Sequence, residues 1–264
     1  MAYPHATTET TPLRGAPQVR TVTTRDLRAA LLKGYADFLA MPSHLIFVGL
    51  IYPIIGLVLA SLAFGYDVMP LLFPLASGFA LIGPLAGVGL YELSRRREAG
   101  LDVTWQQAFE VLRSPSIGSI VGMGLVLVAV FLLWLVTAYG LFQAIMGPRG
   151  EQSYGALLRE ILTTGRGWAL IVVGNAVGLA FAVLVLTISV IAFPVILDRG
   201  AGVGVAIETS RRAVLANPIT MGIWGAVVAV LLALGSIPLF IGLAIVMPIL
   251  GHATWHLYRA AVEH

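Results

Sequence analysis

Two of the five histidines, His252 and His256, stand four residues apart. On a helix this spacing puts both imidazoles on one face, which suits two adjacent ligands of one metal ion, as in zinc sites. The two axial positions of a haem need separate helices, so a haem would require His44 opposite His252. The metal candidates are thus His44, His252 and His256. Set against them is an interfacial belt, in which the same histidines join Trp255 and Tyr258 where a membrane meets water. The belt is the reading carried forward, and no cofactor is expected. With no cysteine in the chain, disulfides, thiolate metal sites and cysteine nucleophiles are excluded. Gly200, Gly202 and Gly204 form a glycine-rich turn, but they follow an apolar run rather than a strand, so they do not make a phosphate or dinucleotide loop. Ser189 has no base nearby in sequence. No catalytic residue is assigned, and an enzyme is not expected.

The elements that would position these residues are set by composition. Of 264 residues, 58% are hydrophobic and 11% charged, with mean hydropathy +0.92. A soluble domain carries about 25% charged residues. The chain therefore reads as an all-α polytopic membrane protein. Its basic balance follows from membrane topology, and no nucleic-acid partner is expected.

Runs without Asp, Glu, Lys or Arg cover 38–66, 68–91, 114–148, 167–197 and 213–258. About 20 apolar residues span the hydrocarbon core. The last run holds two crossings, divided near Gly235-Ser236-Ile237-Pro238. Six crossings are expected, at 45–64, 69–92, 117–145, 168–194, 219–235 and 238–257. With the N-terminus inside, thirteen of the sixteen basic residues fall on the cytoplasmic side, and Arg95, Arg96 and Arg97 form an anchor after the second crossing. Both termini are then cytoplasmic. Residues 1–23, rich in Thr, Pro and Ala, read as a disordered tail, and 24–264 as the membrane domain.

A unit repeats three times: an amphipathic interfacial helix, a proline, a crossing, a turn, and a crossing with a proline near its inner end. The interfacial helices are 24–40, 104–113 and 203–216. In the first, Leu27, Leu31, Tyr35 and Phe38 share a face, and Thr23 with Asp26 suggests a cap. In the second, Thr104 and Gln107 suggest a capping box. The inner prolines are Pro84, Pro194 and Pro248. Between the third and fourth crossings, Tyr154, Leu157, Leu158, Ile161 and Leu162 form an apolar stripe. It belongs to a helix that either lies on the outer surface or packs on the tops of its neighbours.

Lipid tails are as apolar as leucine, so close packing at small residues must hold the helices together. Candidate packing pairs are Gly83 with Gly87, Gly118 with Gly122, and Gly174 with Gly178. Asn175 would bond a neighbouring helix. No carboxylate or arginine falls at bilayer mid-depth, which argues against a proton pump or voltage sensor.

Ser210-Arg211-Arg212-Ala213-Val214-Leu215-Ala216-Asn217-Pro218, Trp224, and the string Gly251-His252-Ala253-Thr254-Trp255-His256-Leu257-Tyr258-Arg259 resemble a bacterial family of integral membrane proteins, domain of unknown function twenty-one eighty-nine. Some members are described as cytochrome c oxidase subunit I-like. The resemblance implies an inner-membrane protein, near a respiratory complex in an accessory or assembly role. The leading expectation is a non-catalytic scaffold or accessory subunit with lipid and either a membrane-protein partner or further copies of itself as its contacts. The alternatives are a permease or channel, in which Asn175, Thr137 or Gln143 would face a polar cavity, and a haem or metal protein.

Overall fold

The computed structural model describes residues 15–41, 72–78, 81, 83–101, 103–147, 154–237 and 242–263. Among them the regular elements are helices, with one isolated antiparallel bridge between Val19 and Val262. The helices are α1 (Thr24–Ala40), α2 (Leu72–Gly78), α3 (Gly83–Ala86), α4 (Val88–Glu98), the 3-10 helix η1 (Trp105–Arg113), α5 (Ile117–Met146), α6 (Tyr154–Thr163), α7 (Gly165–Ser189), α8 (Ala192–Arg199), α9 (Val203–Ala216), α10 (Pro218–Ser236) and α11 (Leu243–Ala261).

Three stretches among the described residues are long and apolar enough to cross a membrane: Ile117–Met146, Gly165–Arg199 and Pro218–Ser236. They correspond to the third, fourth and fifth expected crossings. At 30 residues, α5 is about 45 Å long, more than the hydrocarbon thickness. The first expected crossing and His44 lie outside the described residues. Of the second, the described residues form α2, α3 and α4, with residues 79, 80 and 82 outside the description. Trp134 Nε1 donates to the Pro74 carbonyl at 2.9 Å, and the Tyr91 hydroxyl donates to the Pro84 carbonyl at 3.2 Å. The sixth is represented by α11, which contains Pro248 and carries His252, His256 and Arg259.

The chain breaks after α7 at Val190 and Ile191, and α8 starts with Pro194 in its first turn, where no intrahelical amide is required. Gly200, at φ 61°, ends α8 and donates its N–H to the Ile196 carbonyl at 3.0 Å. This short helix is the centre of the core. Ala192, Phe193, Val195 and Ile196 are fully buried, and α8 touches α4, α5, α7, α9 and α11. The outer faces of the long helices are apolar and exposed, with Leu125, Leu132 and Val136 on α5, Val172 and Leu179 on α7, and Ile219 and Val230 on α10.

Several local expectations change. The helix at 104–113 is a 3-10 helix, although Gln107 Oε1 does accept from the Thr104 N–H at 2.8 Å. The helix between the third and fourth crossings packs on its neighbours. Leu157 is buried with Phe142 and Met146, and Ile161 lies against the same cluster, while Leu158 and Leu162 face outward. The N-terminal tail is not free throughout. Arg20 N–H donates to the Ala261 carbonyl at 2.8 Å, and Val22 is buried and donates its N–H to Asn217 Oδ1 at 2.7 Å. Residues 1–14 lie outside the description.

Candidate functional site

The helix α1 starts at a capping box. Thr23 N–H donates to Asp26 Oδ2 at 2.8 Å, and Asp26 N–H points back to Thr23 Oγ1. Its buried residues are Leu27, Ala30, Gly34 and Asp37; of the apolar set expected, Leu27 is buried, Leu31 and Phe38 are half-buried, and Tyr35 is not. Tyr35 is 49% exposed. The reason is close approach. A Cβ built on Gly34 would stand 2.5 Å from the Ala253 backbone nitrogen and 2.7 Å from its Cβ. Only small residues permit that contact with α11, and Leu32, Tyr35 and Leu39 turn outward.

This approach brings Asp37 against α4 and α11, at the heart of a buried polar junction. Asp37 Oδ2 accepts from the Ser94 hydroxyl at 2.6 Å and pairs with His256 Nε2 at 2.8 Å, and Asp37 Oδ1 receives Arg97 Nη1 at 2.5 Å. Ser94 Oγ also stands 2.8 Å from His252 Nδ1. The hydroxyl has one proton and gives it to the carboxylate, so His252 Nδ1 is assigned the N–H that donates to Ser94. Burial pushes the Asp37 carboxyl up, but hydrogen bonding from His256 and Ser94 outweighs it and holds the group below its ordinary value. Asp37 stays ionised as the acceptor that joins α1 to α4 and α11.

Two further clusters extend the junction. Glu92 is buried and receives Arg95 through two bonds of 2.8 Å and Arg96 at 2.6 Å, while Arg96 reaches on to Glu110 of η1. Glu98 accepts from Trp255 Nε1 at 2.8 Å and Arg259 Nε at 3.1 Å. The Tyr258 hydroxyl donates to Asp198 Oδ2 at 2.5 Å. Arg95, Arg96 and Arg97, expected as an anchor, thus also form ion pairs within the fold.

Of the metal candidates, the structure draws His252 and His256 into this junction, each bonded to a protein side chain. Among the described residues no group of three or more His, Cys, Asp or Glu is arranged to hold a metal ion. Of the glycine pairs, Gly122, Gly178 and Gly87 have close neighbours in Val203, Trp134 and Tyr91, whereas Gly83, Gly118 and Gly174 face open space. Asn175 Nδ2 donates to the Ile171 carbonyl of its own helix at 2.7 Å, not to a neighbour. Thr137 donates to Leu133 O at 2.7 Å and Gln143 to the Tyr139 hydroxyl at 2.9 Å, again within one helix. Sequence reasoning missed Gly34, Asp37, Ser94 and Glu98. Their one legible signal was the spacing of Ala30, Gly34 and Asp37 along a single helix face.

Long apolar helices, exposed apolar flanks and charge gathered at helix ends define a helical integral membrane protein. Residues 71–198, spanning α2 to α8, match the family described as "Predicted integral membrane protein (DUF2189)". The match contains Ser94, Arg97, Glu98 and Asp198 but ends before the 210–259 residues that carry the sequence resemblance. No curated protein and no solved structure matches the chain.

Proposed function

We propose that this protein is a non-catalytic accessory or assembly subunit of a larger membrane complex, and that it works by presenting apolar helix faces to membrane-protein partners. The observation that carries the reading is the division of its surface. Asp37, Ser94, Glu92, His252 and His256 are engaged with one another or with arginines in the junction, while α5, α7 and α10 turn broad apolar faces outward. Such faces meet either lipid or another helix. In the same reading the chain crosses a bacterial inner membrane six times as three related units. Both termini are cytoplasmic, and α1, η1 and α9 lie along the membrane surface. Support comes from the cytoplasmic bias of the basic residues and from exposed Trp105, Phe109 and Leu112 on η1.

Native co-purification in mild detergent with mass spectrometry tests the reading. A membrane protein recovered in fixed ratio is the expected result. Recovery of this chain alone, at every expression level, would overturn it.

A further inference from the structure

One side of the junction opens into a pocket of about 260 Å³ between α1, α4 and α11, lined by Asp26, Lys33, Glu98, His256 and Arg259. Asp26, Ala29, Ala30 and Lys33 supply its α1 wall, and their spacing keeps them on one helix face. Lys33 is the only lysine of the chain, and its side chain is exposed. The pocket walls carry two cations and two carboxylates besides His256. A bare anion attracted by Lys33 and Arg259 would also meet Asp26 and Glu98. A bare cation would have the converse difficulty. Arg259 Nε already donates to Glu98 at 3.1 Å and Asp26 caps α1, and a ligand with separate negative and positive groups extends these pairings without stranding either sign. Beside this face, Leu32 and Leu39 of α1 are 58% and 65% exposed, so apolar surface adjoins the charged pocket. Basic pockets between helices at a membrane surface are suited to lipid phosphates.

The geometry points to a binding site for a phospholipid whose headgroup joins a phosphodiester to a primary ammonium. The phosphate sits toward Lys33 and Arg259, the ammonium toward Asp26 and Glu98, and the acyl chains run along the exposed apolar side of α1. The site takes from the proposed function only that α1 lies along the membrane surface. It is separate from the partner-binding faces, so failure of either proposal leaves the other standing.

Native mass spectrometry of the full chain in detergent, titrated with phosphatidylethanolamine, phosphatidylglycerol and soluble O-phosphoethanolamine, tests it. Phosphatidylethanolamine is expected to bind about tenfold more tightly than phosphatidylglycerol, the size of one charge-assisted contact. Lys33→Met should reduce that binding about tenfold and Lys33→Arg should restore most of it, with unchanged circular dichroism in both. Equal binding of the two lipids, or full binding by Lys33→Met, would overturn the proposal. Binding of O-phosphoethanolamine as tight as that of the lipid would replace it with a soluble-ligand site.

Discussion

Substituting Asp37 with asparagine keeps the shape of the side chain and removes the charge on which Ser94, His256 and Arg97 converge. An amide offers one acceptor oxygen, and its NH₂ meets a donor where the carboxylate met one. Hydrogen bonds to a charged group are worth about 1.5–3 kcal/mol each. The Arg97 side chain is 40% exposed, so its contribution is small after solvent screening. The Ser94 and His256 bonds are buried, and losing most of their value costs roughly 3 kcal/mol, at the low end for breaking a buried charged pair. For a chain of this size that corresponds to a fall in Tm of about 6–12 °C. The measurement is thermal unfolding in detergent at pH 7, followed by tryptophan fluorescence, with hydrogen exchange over α1 as the local readout.

The pH dependence gives a second, sharper arm. The Asp37 carboxyl is held below its ordinary value of 3.8. A carboxyl depressed in the folded state stabilises fully above its unfolded pKa, and this contribution is lost as pH falls through the folded value. Asparagine does not titrate. The gap between wild type and Asp37→Asn should therefore narrow as pH falls below about 4. Equal melting of the two proteins at pH 7, or a gap that widens further below about pH 4, would refute the assigned network.

Other sites give further tests. Gly34→Ala should destabilise by about 2 kcal/mol because the new methyl meets the Ala253 backbone, whereas Gly174→Ala, facing open space, should be neutral or slightly stabilising; paired melting curves check the contrast. Asn217→Ala removes the acceptor of the Val22 N–H and the donor to the Arg20 carbonyl, and should cost about 1–3 kcal/mol and expose 15–23 to limited proteolysis. Trp134→Phe deletes the bond to the Pro74 carbonyl, and faster hydrogen exchange across α2 is the expected outcome.

The long helices were legible in the sequence because a charge-free run of sufficient length has few alternatives in a membrane protein. Thus α5, α7 and α10 start and end within a few residues of the expected crossings. The contacts of the second crossing were not legible, because hydropathy counts apolar residues and does not register which backbone carbonyls side chains capture. Pro74 and Pro84 look like tolerated prolines until Trp134, 60 residues away, and Tyr91 are seen to use their carbonyls. The junction was hidden for a related reason. A carboxylate on a short helix with Arg25, Arg28 and Lys33 reads as solvated, and nothing local marks Asp37 as buried. Its partners Ser94 and His256 are 57 and 219 residues distant, beyond any local pattern. What the apolar stripe of α1 obscured is that the buried face of a membrane-protein helix is chosen by closeness as much as by hydrophobicity. Ala30 and Gly34 let α11 approach, the approach brings His252 and His256 within reach, and a charge at Asp37 then becomes the one residue that can satisfy three donors where water is excluded. A large apolar residue at 34 would reverse the choice, turning α1 over and leaving His256 buried without its acceptor.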